Sequence, residues 1–229
     1  SSVDGAALAA VVDVNEPRAR EIAGACGGAR PTTDYRDLAG RVDLVSIATP
    51  TETHAGIATF FLERGVPVLV EKPLARTVAE ADAIIAAAAK SGAALAVGHT
   101  ERFNPAVVAA TPAVQNPQFV EVHRLGTFPE RSLDIDVVFD LMIHDLDLVL
   151  ALVQSEVVSI DAVGVPVLTD RFDIANARLH FASGCVANIT ASRISRDRTR
   201  KIRFFQRDAY ISIDTGSKEA EVYRLVRFA

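Results

Sequence analysis

The sequence predicts two units in succession: a parallel α/β sheet with helices on both faces, then an α+β unit with a large, mainly antiparallel open sheet. Between residues 6 and 98, continuous apolar runs alternate with alanine-rich helical stretches, the rhythm of βαβ units. Beyond Pro105, strand-like segments follow one another with one long helix among them. The rhythm changes near 102–105, so the boundary is set to give units 1–102 and 103–229.

In the first unit the apolar runs are 7–14, 42–48, 66–70 and 94–97. They are unbroken rather than alternating, which points to strands buried on both faces. Helical periodicity occupies 17–24, 54–64 and 78–90, with stops at Gly24, Gly65 and Gly92. Residues 34–38 are a shorter helical candidate. In the second unit the expected strands are 119–125, 157–165, 174–181, 186–193, 202–205, 209–213 and 222–226, and the helix is 137–153. Ser183-Gly184 and Thr215-Gly216 mark tight turns.

Composition narrows the function classes. The 229 residues are 49% hydrophobic with a net charge of −5, enough for two cores. No basic run marks a nucleic-acid partner; the densest, 193–203, is broken by aspartate and apolar residues and suits a solvated strand edge. No apolar stretch reaches membrane-spanning length, since the longest helical one carries Asp140, His144, Asp145 and Asp147. The two cysteines, Cys26 and Cys185, offer neither a disulfide framework nor metal-ligand spacing. A cytoplasmic protein with reduced thiols and no metal is expected.

Asp13 ends the first apolar run. An acid at that point of a dinucleotide-binding Rossmann-type unit accepts hydrogen bonds from the adenosine ribose and repels a 2′-phosphate, favouring NAD over NADP. A loop or helix-capping aspartate accounts for Asp13 equally well. The usual companion, a Gly-x-Gly-x-x-Gly turn after a preceding strand, is absent from the sequence. A further strand, Gly-rich turn and helix, about 20–30 residues, are expected to precede Ser1.

Val70-Glu71-Lys72-Pro73-Leu74 closes a buried strand, where ligands bind in open α/β sheets; a surface Lys-Pro turn is the alternative. Asp140 and His144 are four residues apart on the long helix and share a face, with Asp147 on the same stripe. A helix otherwise apolar all round is buried, so these groups need partners or a cavity. They suit either proton transfer or a structural pair joining the two units.

These segments together resemble the Gfo/Idh/MocA oxidoreductases. The Glu71-Lys72-Pro73 turn is similar to that family's Glu-Lys-Pro motif. Ala48-Thr49-Pro50 with His54 resembles its Thr-Pro-x-x-x-His segment, Gly98 through Arg102-Phe103-Asn104-Pro105 its domain-junction motif, and Asp140 through His144-Asp145 its catalytic helix. The resemblance implies a catalytic group of Lys72, Asp140 and His144. It implies that Thr49, His54 and Glu71 lie along an NAD cofactor and that Arg102 and Asn104 lie near nicotinamide and substrate. It also implies a cis Lys72–Pro73 bond, a homodimer or homotetramer formed through the C-terminal sheet, and family strands beyond the last residues here.

The expected reaction is hydride transfer from a secondary alcohol of a sugar-like substrate. The stretch 98–106 resembles a subgroup acting on nucleotide-linked amino sugars, with UDP-N-acetylglucosamine 3-dehydrogenase the specific expectation. An inositol or free-sugar dehydrogenase, or a reductase, is the alternative within the family. Outside enzymes, a non-enzymatic ligand sensor or a scaffolding sheet are the alternatives.

Overall fold

The computed structural model describes residues 3–128 and 135–226. The chain forms two compact units that divide between Gly98 and His99.

The first unit alternates strands and helices: β1 (Ala10–Val12), α1 (Glu16–Ala25), β2 (Arg30–Thr32), a 3-10 turn (Tyr35–Leu38), β3 (Val45–Ile47), α2 (Thr51–Leu62), β4 (Val68–Val70), α3 (Val78–Ser91) and β5 (Leu95–Val97). Every strand pairing is parallel. Local chemistry sets the helix ends. Asn15 caps α1 by accepting the Arg18 N–H at 3.2 Å. Thr77 and Glu80 form a reciprocal capping box on α3, and Gly92 ends that helix at φ 72°, where a side chain would be strained.

The strands lie in two sheets rather than one: β1–β2, and β3–β4–β5. No described strand hydrogen-bonds β1 to β3. The expectation of strands buried on both faces is not met in the second of these sheets. Val68 and Val70 are buried under α2, whereas Ser46, Leu69 and Ala96 on the opposite face are exposed. Leu38, Ile47, Phe61, Leu62 and Ile84 complete a core on the helix side.

The second unit opens with a 3-10 turn (Thr100–Phe103) and α4 (Pro105–Ala110). There follow β6 (Phe119–Leu125), a wide π turn (Val138–Met142) running into α5 (Ile143–Val153), and then β7 (Val157–Val165), β8 (Ile174–Phe181), β9 (Val186–Ser192), β10 (Thr199–Phe205), β11 (Ala209–Asp214) and β12 (Glu219–Arg224). The seven strands make one sheet, ordered β12-β11-β10-β6-β9-β8-β7. Only β6–β9 is parallel. Strict alternation puts Val120, Val122, Ile189, Ile202, Phe204 and Ile211 on an inner face, where they pack with Leu148, Val149 and Met142 of the helical segment. That segment is not buried all round: Phe139 and Leu150 are each 46% exposed, because within the unit it packs on the sheet by one face.

Candidate active site

In the first unit, four of the expected residues gather at the ends of two neighbouring strands. Thr49 follows β3, and Glu71 and Lys72 follow β4. His54 lies on α2, 1% exposed. Its Nε2 is 2.9 Å from the Thr49 carbonyl oxygen and its Nδ1 3.0 Å from that of Pro73. His54 therefore ties the two strand ends together. Both ring nitrogens of this buried histidine are thus taken up by main-chain carbonyls. The Thr49 hydroxyl lies 2.6 Å from that of Thr53.

Glu71 bends back over Gly98. A Cβ on Gly98 would come within 2.9 Å of the Glu71 carboxylate, so this glycine leaves room for that side chain. The same carboxylate accepts the Lys72 N–H at 3.2 Å. The Lys72–Pro73 bond is cis. Asp13 ends β1, and one of its carboxylate oxygens accepts the Asn15 N–H at 2.8 Å. That is the bond of a loop aspartate.

In the second unit, Asp140 sits in the π turn and His144 in the first turn of α5. The sequence read both on a regular α-helix. A turn with i→i+5 bonding holds more residues, which changes the angle between positions four apart. The two carboxylates that follow His144 are both gripped by arginines. Asp145 receives Nε and Nη2 of Arg124 at 2.7 and 2.9 Å, with Arg124 also 3.3 Å from Glu101. Burial pushes the Asp145 carboxyl above its ordinary range, with the Arg124 fork opposing it. Asp147 receives Nε and Nη2 of Arg102 at 2.7 and 2.6 Å. The Asp147 hydrogen bonds hold the Arg102 guanidinium above its usual value.

Arg102 and Asn104 thus have partners that the sequence did not foresee. Arg102 holds α5 through Asp147. Asn104 caps α4 through the Ala106 N–H at 3.1 Å and donates to Glu101 and to the Thr215 carbonyl. Arg124 was missed, although an arginine at an inward-facing strand position requires a buried acid. Among the described residues, no cluster suited to a metal ion is present.

Residues 1–99 match the model of an oxidoreductase family with an NAD-binding Rossmann fold, and residues 116–217 match the GFO/IDH/MocA C-terminal domain. A UDP-N-acetylglucosamine 3-dehydrogenase of Acidithiobacillus ferrooxidans is 43% identical over 94% of this chain and 69% of its own length. The chain belongs to the Gfo/Idh/MocA oxidoreductase family. An inositol 2-dehydrogenase of Rhizobium meliloti is 32% identical over 82% of this chain, which spans 62% of that relative. A solved structure of the A. ferrooxidans enzyme superposes with a TM-score of 0.91 at 40% identity, covering 97% of this chain and 76% of that one.

The first unit is thus of the family's NAD-binding type, and its residues fit the cofactor in part. Asp13 suits the adenosine ribose, and the β3 and β4 ends with Thr49, Glu71 and Lys72 suit a dinucleotide at the strand ends of an open sheet. The Gly-rich phosphate turn is not among the 229 residues, and no described strand joins the β1–β2 pair to the β3–β4–β5 sheet.

Proposed function

We propose that the intact protein is an NAD-dependent dehydrogenase that oxidises a secondary ring alcohol of a nucleotide-linked amino sugar. The 43% identity to the UDP-N-acetylglucosamine 3-dehydrogenase along nearly all of the chain carries this reading. An inositol or free sugar is the second substrate class, favoured by the 32% identical inositol dehydrogenase.

Bound nicotinamide supplies the hydride acceptor. Neutral His144 takes the hydroxyl proton as the carbon–hydrogen bond gives up its hydride, since imidazole titrates near neutrality. Lys72 stabilises the developing alkoxide with a fixed positive charge. Asp140, one turn before His144, orients the imidazole or shares the proton. The products are the ketone, NADH and one proton. Asp13 favours NAD, because its carboxylate repels a 2′-phosphate.

The protein is further proposed to be a cytoplasmic homo-oligomer that pairs through the outer face of the seven-stranded sheet. On that face the register lines up Phe119, Phe205, Tyr210 and Tyr223 in one row, with neighbouring ring centroids 5.2–5.9 Å apart. The next row alternates charge through Glu221, Arg203, Glu121 and Arg178. An aromatic band beside alternating charges suits a self-complementary two-fold contact.

The deciding experiment is NADH formation by the intact protein from UDP-N-acetylglucosamine, inositols and free sugars. Turnover confined to nucleotide sugars is expected. Turnover only with inositol or a free sugar would replace the substrate class.

A further inference from the structure

The π turn Val138–Met142 has no side-chain cap at its start. Such turns are rare and recur at functional sites. This one is steadied by a distant part of the unit, the 166–173 loop between β7 and β8.

The loop is built around a buried ion pair. Asp173 accepts the N–H groups of Val167, Leu168 and Thr169 at 2.9, 2.7 and 2.9 Å, and Nε of Arg193 at 2.8 Å. Arg193, 1% exposed, donates in addition to Thr169 Oγ1 at 2.9 Å and to the Ile135 carbonyl at 2.6 Å. The Phe172 ring rests on Gly164, where a Cβ would meet it at 2.7 Å.

Held in this way, the loop presents the main chain of Phe172 to the helix start. The Phe172 N–H donates to the Asp136 carboxylate at 2.9 Å, and the Phe172 carbonyl accepts the Val137 N–H at 3.0 Å. The Asp136 carbonyl in turn accepts the N–H groups of Phe139 and Asp140, each at 3.1 Å. One residue therefore joins the rigid loop to the turn that carries Asp140.

We propose that Asp136 is a positioning residue for the Asp140–His144 pair. Its carboxylate fixes the π turn and so the direction of Asp140 relative to His144. Were the turn to relax to regular α-helix, residues before it would rotate by about 100° relative to those after it. This inference rests on the proposed function, in which Asp140 and His144 handle the proton.

The test compares Asp136→Ala with Asp136→Asn in the intact protein. Alanine removes the acceptor for Phe172; asparagine keeps an oxygen in its place. For Asp136→Ala, kcat is expected to fall about tenfold or more, the scale of a misplaced reacting group, with both KM values nearly unchanged. Amide exchange over 137–144 should quicken. Asp136→Asn should restore most of the rate and the protection. Faster exchange with unchanged kcat, or an asparagine variant as impaired as alanine, overturns the proposal and leaves the proposed function standing. Undiminished turnover in His144→Ala would instead overturn the proposed function, and this inference with it.

Discussion

Arg124 on β6 grips Asp145 on α5 with two parallel hydrogen bonds of 2.7 and 2.9 Å, both side chains nearly inaccessible to solvent. Asp145 directly follows His144, so this pair fixes the helix to the sheet beside the proposed base. A buried ion pair contributes little beyond an apolar pair of similar size, but losing one member leaves the other charged and unmatched. Arg124→Met should therefore cost about 3–5 kcal/mol in urea unfolding. Arg124→Met with Asp145→Leu should recover much of that. A double variant no more stable than the single one would show that Arg124 acts mainly through Glu101.

Arg124 also shows what the sequence could and could not disclose. Alternation along Val120, Val122 and Arg124 turns the arginine inward, so its need for an acid was legible; which acid was not. The strand order of the large sheet depends on the parallel β6–β9 pairing, between residues 67 positions apart along the chain, a distance over which local pattern carries no signal. β2 reads Arg-Pro-Thr and has no apolar run; it forms because β1 pairs with it. The segments that carry the family resemblance were easier to read, because each is short and contiguous. The π turn under Asp140 was not, since Phe172 and Arg193 hold it from far along the chain.

Lys72 and His144 have separable effects on the proposed reaction. His144→Ala removes the base and Lys72→Ala the charge beside the alkoxide. Each should lower kcat of the intact protein about 10²-fold or more, as measured by NADH formation under saturating substrate. His54→Ala should act differently. It frees the Thr49 and Pro73 carbonyls from their shared partner, so weaker NAD binding with a smaller loss of kcat is expected. Unchanged NAD affinity in that variant would remove His54 from the cofactor site.

The outer sheet face predicts a change of assembly state. Phe205 is 39% exposed at the centre of the aromatic row. Phe205→Arg would set a cation among Phe119, Tyr210 and Tyr223 on both copies of a two-fold contact. The oligomer should dissociate, as seen by light scattering, while the circular dichroism of the subunit stays unchanged. An assembly that survives this substitution uses another surface.

The two thiols should react unequally. Cys26 is exposed, whereas Cys185 is buried, and burial alone pushes its thiol up to about 11. Only the thiolate attacks a disulfide reagent, so near neutral pH one thiol should titrate in the folded protein and two in denaturant.

Asp173 makes acid stability informative. Burial works to raise its carboxyl, but the N–H groups of Val167, Leu168 and Thr169 and the Arg193 guanidinium outweigh that and hold it well below the carboxylate range. A depressed carboxyl binds protons more tightly when unfolded. It therefore stabilises the fold above its unfolded pKa of about 3.9, and that contribution fades as the pH falls towards the lower folded value. Protection of amides in the 166–173 loop should decline as the pH is lowered through 4, after correction for the intrinsic exchange rate. Asp173→Asn should weaken the loop at neutral pH and flatten that dependence. A loop equally protected at pH 7 and pH 3 in the unsubstituted protein would mean that the Asp173 charge does not hold it. In that case the anchoring of the helix start would rest on Arg193 and the Phe172 main chain alone.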